Sequence, residues 1–66
     1  MTVHREIEKF LRATRMPPTL FGRLAVRDPR FVLDLRMGRE PGPQITARVR
    51  AFLAEQKRLR QQEKGQ

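Results

Sequence analysis

Cysteine is absent from this 66-residue chain, which excludes disulfides and thiolate metal sites. A fold of this size without either staple rests on efficient helix packing or on a partner chain. Histidine occurs once, at His4, and the seven Asp and Glu residues are interleaved with arginines in the pattern of surface pairs. That inventory offers no nucleophile with its base and no ligand cluster, so no catalysis, metal or cofactor is expected. Long apolar runs are missing too. With 38% hydrophobic and 33% charged residues, the chain is neither oily enough to span a membrane nor polar enough to be wholly disordered. Charges at Arg5, Glu6, Glu8 and Lys9 interrupt the first segment, so a secretory leader is not expected and a reducing cytoplasm is.

What the chain has in excess is positive charge: fifteen Lys and Arg against seven Asp and Glu, a formal net charge of +8. Such a surplus favours a polyanionic partner, either nucleic acid or an acidic membrane face. Twelve of the fifteen cations are arginine, whose forked guanidinium suits phosphates and guanine edges better than a lysine point charge. A GC-rich genome produces the same bias, so the net charge carries the inference and the ratio does not.

Apolar periodicity divides the chain into helices separated by breakers. Val3, Ile7, Phe10 and Leu11 fall at i, i+4, i+7 and i+8, which predicts a helix from Val3 to Ala13 with Thr2 as N-cap. Pro17-Pro18 ends that pattern, and Pro18 is well placed to open a second helix through Val26, with Leu20, Phe21, Leu24 and Ala25 as its apolar positions. Gly22 inside that helix costs roughly 1 kcal/mol in propensity relative to alanine, which is understandable if a neighbouring backbone approaches it closely. Asp28-Pro29 reads as the N-cap and first turn of a third helix, Pro29 to Met37, closed by Gly38 in the left-handed region. The breakers Pro41, Gly42 and Pro43 then form a turn before a fourth helix from Gln44 to Gln56, carrying Ile45, Val49, Phe52 and Leu53. Residues 1–59 are expected to form one domain, and residues 60–66 a frayed polar tail.

The second and third helices are separated by too little chain for an antiparallel hairpin, so a sharp crossing with helix-turn-helix geometry is expected. The run Leu20-Phe21-Gly22-Arg23-Leu24-Ala25-Val26-Arg27-Asp28-Pro29-Arg30-Phe31-Val32-Leu33-Asp34-Leu35-Arg36-Met37-Gly38-Arg39-Glu40-Pro41 carries an ordered set of apolar, small and turn positions. In it Phe21 is a large apolar residue, Gly22 and Ala25 are small, Val32 and Leu35 form an apolar-x-x-apolar step, and Gly38 with Pro41 closes the helix. That set resembles the core of the lambda-repressor/Cro (XRE) family, over about residues 5 to 54. Pro17 and Val26 depart from its usual capping and turn residues, and the family's fifth helix is missing.

The resemblance implies an all-α, lambda-repressor-like domain of four helices with a central helix-turn-helix. It also implies a bacterial or phage transcription regulator that binds double-stranded DNA sequence-specifically in the cytoplasm, at the nucleoid. Carried onto this chain, the base-reading positions fall on Pro29, Arg30, Leu33 and Asp34. Pro29 has no donor, which leaves Arg30 to fork onto a guanine edge in the major groove. A surface ion pair with Asp34 at i, i+4 is the competing role for Arg30. Leu33 could meet a thymine methyl, join Met37 in a dimer patch or pack in the core. Phosphate contacts would fall to Thr19, Arg23, Arg27, Arg36 and Arg39, and the cations Arg48, Arg50, Lys57, Arg58 and Arg60 serve solubility or a secondary contact. The missing fifth helix suggests completion by a homodimer on DNA. Two alternatives remain: an architectural DNA-binding protein, or a protein-interaction module for an RNA polymerase subunit, a phage factor or a toxin, using Leu20, Phe31, Leu33 and Met37. The proline-punctuated pattern argues against a membrane-surface peptide.

Overall fold

Thr2 begins the first helix by local hydrogen bonding: its backbone is extended and its hydroxyl accepts from the Arg5 N–H at 3.3 Å. The computed structural model describes residues 2–64. Helix α1 spans Val3–Thr14, one residue more than the periodicity predicts. The extension has a cause in Thr14, whose hydroxyl donates to the Phe10 carbonyl at 2.8 Å and accepts from the Met16 N–H at 3.3 Å. Arg15 then turns into the left-handed region at φ 59° and returns its N–H to the Leu11 carbonyl at 2.7 Å.

Helix α2, Pro18–Val26, has the expected bounds, with proline in its first turn where no donor is wasted. Its buried face differs from the expected one. Phe21, Gly22, Ala25 and Val26 are inside, whereas Leu20 and Leu24 are 38% and 54% exposed. The helix is rotated toward Gly22 because a backbone lies there: a Cβ built on Gly22 would stand 2.1 Å from the Asp28 carbonyl oxygen and 3.3 Å from the Phe31 Cβ. The Asp28 N–H also donates to the Gly22 carbonyl at 3.0 Å, so one residue holds and fills the notch above the glycine.

Helix α3 is shorter than expected, Phe31–Arg36 rather than Pro29 to Met37. Asp28 does cap, but it caps a turn: its carboxylate accepts from the Arg30 N–H at 3.0 Å and its carbonyl from the Phe31 N–H at 3.1 Å. Pro29 and Arg30 are consumed in that turn, and helical geometry starts after them. At the other end Gly38 lies at φ 106°, the left-handed position anticipated for it. Its N–H donates to the Leu35 carbonyl at 3.1 Å, and the Arg39 N–H donates to the Asp34 carbonyl at 3.0 Å, the paired bonds of a Schellman closure.

Helix α4 spans Pro43–Lys64, far beyond Gln56, and takes in most of the expected polar tail. No breaker stands between Pro43 and Gly65, and the intervening Leu, Ala, Glu, Gln, Lys and Arg residues favour helix. Gly65 and Gln66, the end of that tail, lie outside the described residues.

These four helices, with no strand among the described residues, pack with α2 against both α3 and α4, and α1 against α4. Phe21 sits at the centre, fully buried, with its ring 5.7 Å from Phe10 of α1 and 5.3 Å from Phe52 of α4 in tilted and edge-on arrangements. Ile7, Phe31, Val32 and Val49 are likewise sealed from solvent, and Leu35 nearly so. No described helix is long and apolar enough to cross a membrane.

Replacing glycine by alanine in an exposed helix interior normally stabilises by about 0.5–1 kcal/mol. At Gly22 the opposite sign is expected. Gly22→Ala should destabilise by about 1–3 kcal/mol as the turn is pushed off α2, seen as a lower urea midpoint. An unchanged or raised midpoint would mean that the α2–α3 contact is looser than described.

Candidate nucleic-acid interface

The turn that Asp28 organises delivers Arg30 to the first exposed position before α3. Its backbone sits at φ −93°, ψ 0°, its N–H is held by the Asp28 carboxylate, and its side chain is exposed. Among the described residues its guanidinium enters no ion pair. The i, i+4 pair with Asp34 considered from the sequence is not formed. Asp34, half-buried, instead accepts from Arg39 at 3.2 Å.

Arg39 is thereby committed to its own chain. Its guanidinium also reaches the Asp28 carboxylate at 3.5 Å and lies 5.7 Å above the centre of the Phe31 ring. It ties the turn before α3 to the segment after it. Arg36 is committed as well: its Nε and Nη2 donate to the two carboxylate oxygens of Glu8 on α1, at 2.8 and 2.9 Å. Such a forked pair is stronger and more directional than a single contact. His4 adds a third contact to Glu8 at 3.0 Å. Hydrogen bonding from Arg36 holds the Glu8 carboxyl down at about 2; partial burial opposes this, and the His4 contact reinforces it. The same pair raises the Arg36 guanidinium above its ordinary value.

Thr19, Arg23 and Arg27 recur every fourth residue along α2 and its C-cap, so they share one side of that helix, and all are exposed. Arg27 is left-handed at φ 59°, with its N–H directed to the Arg23 carbonyl at 3.1 Å. Neither Arg23 nor Arg27 enters an ion pair among the described residues. Leu33 on α3 is 41% exposed and Met37, the C-cap one turn later, 87% exposed, so Leu33 is outside the core. Phe31 is 1% exposed and is withdrawn from the surface where a partner was considered. Leu24 was the surface residue concealed by periodicity, since its place in the Leu20-Phe21-Leu24-Ala25 pattern suggested burial. Gly22 and Val26 carried the contrary signal, because they centre the buried face one residue further on.

The carboxylates are largely used internally. Glu6 pairs with Arg50 at 3.3 Å and Glu55 with Arg58, in addition to the pairs at Glu8, Asp28 and Asp34. The uncompensated charge therefore resides on cations such as Arg23, Arg27 and Arg30. Among the described residues no group of three or more His, Cys, Asp or Glu could hold a metal ion, and no buried side-chain polar atom lacks a partner. No protein family, characterised protein or solved structure was found to match this chain.

The Glu8–Arg36 geometry predicts an acid-dependent stability. The Glu8 carboxyl titrates lower in the folded chain, so its contribution is present above about pH 4.5 and lost as the pH falls toward 2. Glu8→Gln should lower stability at pH 7 by about 0.5–1 kcal/mol, because both partners are partly solvated. It should also flatten the decline of melting temperature between about pH 5 and 2. Parallel declines in parent and variant would remove Glu8 as the group responsible.

Proposed function

We propose that this chain is a helix-turn-helix protein of the lambda-repressor/Cro type that binds double-stranded DNA and regulates transcription, with α2 on the backbone and α3 in the major groove. The observation that carries the reading is the state of Arg30: exposed, in no ion pair among the described residues, and anchored through its backbone where α3 begins. Its neighbour Asp34 would repel phosphates, but Arg39 compensates that charge. Arg30 then forks onto the O6 and N7 acceptors of a guanine, while Arg23, Arg27 and the Thr19 end of α2 bear on phosphates and set the register. Leu33, standing out of α3, meets a thymine methyl. In this reading Asp34 orients Arg39 more than it touches a base, and Arg36 and Arg39 support the surface through Glu8, Asp28 and Asp34. Two copies would occupy half-sites about 10 bp apart or a multiple of it, so that both meet one side of the duplex.

A protein-interaction role is favoured by a different observation, the exposure of Leu20 and Leu24 on α2, Leu33 on α3 and Met37 at the α3 C-cap. Salt separates the two. Binding to DNA weakens steeply as salt rises because counterions are released from phosphates, whereas an apolar interface changes little.

Selection of bound DNA from a random duplex pool at near-physiological salt should enrich one motif. On that motif Arg30→Ala should cost about 1–3 kcal/mol and relax the preference at one base pair. Arg23→Ala and Arg27→Ala should instead weaken binding to every duplex alike, each making the slope of log affinity against log salt shallower by about 0.9. Equal weakening of specific and scrambled duplexes by Arg30→Ala would overturn the assignment of α3 as reader. Failure to enrich any motif would overturn sequence-specific binding itself.

A further inference from the structure

Away from α2 and α3, the chain carries a second basic surface whose chemistry is not that of a bare phosphate contact. Helices α1 and α4 lie side by side, joined by the Glu6–Arg50 pair at 3.3 Å and by the Phe10 and Phe52 rings 6.3 Å apart. Beyond these contacts a groove of about 380 Å³ opens between them. Its floor is apolar, made by Phe10, Ala13 and Leu53, with Ala13 exposed and the other two half-buried. Its rim is cationic: Lys9 on one side, Lys57 and Arg60 on the other, all exposed and without ion pairs among the described residues. Among the described residues one carboxylate lines it, Glu6, and it is engaged by Arg50.

We infer that this groove docks an acidic amphipathic helix of a partner protein, apolar residues on the Phe10–Ala13–Leu53 floor and carboxylates against Lys9, Lys57 and Arg60. Charge complementarity selects the occupant. A second copy of this chain is a poor fit, since its net charge is +8 and Glu6, Glu8, Asp28, Asp34 and Glu55 are already paired. A nucleic-acid strand would use the rim and leave the apolar floor idle, whereas a helix with one apolar and one acidic side uses both. No lining residue belongs to α2 or α3, so this groove and the proposed DNA surface can be occupied together. Its test is therefore independent of DNA binding.

The probe is a fluorescein-labelled peptide of about fifteen residues, long enough to form a helix on binding, with leucines at i, i+3, i+4 and i+7 and glutamates elsewhere. Fluorescence anisotropy with the full chain should give saturable one-to-one binding. A scrambled peptide of the same composition should bind about ten-fold more weakly, because its leucines no longer share a side. Lys57→Glu with Arg60→Glu should cost about ten-fold, and Arg23→Glu with Arg27→Glu less than about two-fold. Ala13→Glu, at an exposed position, should abolish binding while thermal melting stays at the parent's temperature. A short DNA duplex should not displace the peptide. The inference is overturned by non-saturable binding, by equal affinity for the scrambled peptide, by equal losses in the two charge-reversal variants, or by displacement of the peptide by the duplex.

Discussion

The approach of the Asp28 carbonyl to the bare α-carbon of Gly22 governs how α2 and α3 meet. Because no side chain intervenes, the Asp28 N–H reaches the Gly22 carbonyl, and Phe31 comes down onto the same notch. That places Phe31, Val32 and Leu35 in the core and leaves Arg30, Leu33 and Met37 outside. The constraint also rotates α2, with Phe21 directed at Phe10 and Phe52 while Leu20 and Leu24 face water. A small domain has little stability to spare, so a contact that orients two of the four described helices has a disproportionate effect on the rest.

Charge is partitioned along the same lines. The pairs Glu8–Arg36, Asp34–Arg39 and Glu6–Arg50 join separate parts of the chain, the first linking α1 to α3 and the last α1 to α4. Each removes a carboxylate from the field seen by an approaching polyanion. Among the described residues, the cations without ion-pair partners include Arg23, Arg27 and Arg30 around the α2–α3 turn, and Lys9, Lys57 and Arg60 along the α1–α4 groove. Surface pairs of this kind contribute little stability individually. Their larger effect is on the position of the remaining positive potential, which steers association with charged partners.

Much of the architecture was legible in the sequence, for reasons local to each segment. Apolar spacing and the prolines located the helices, with α2 bounded correctly by Pro18 and Val26, because periodicity and missing donors act within a few residues. Gly38 announced its left-handed closure, and Gly22 announced a close backbone approach. The start of α3 was less legible. An Asp-Pro pair can cap a helix or form a turn, and the choice here went to the turn through two hydrogen bonds that Asp28 accepts, from the Arg30 and Phe31 N–H groups. The far end of α4 is not legible from apolar spacing, which fades before it, because helix propensity continues without an apolar side.

For the candidate site, the sequence by itself determined which residue types were present: many arginines, no cysteine, a lone histidine, and an Arg30 near the start of the third helix. Tertiary structure decided which of those arginines stay out of ion pairs among the described residues. Arg36 and Arg39 read from the sequence as equals of Arg23 and Arg27, yet Glu8 lies 28 residues before Arg36 and meets it only because α1 and α3 come together. Likewise Lys9 and Arg60 line one groove only because α1 and α4 run side by side. Pairing between distant charges depends on distances of a few ångströms set by core packing, and no local pattern encodes them.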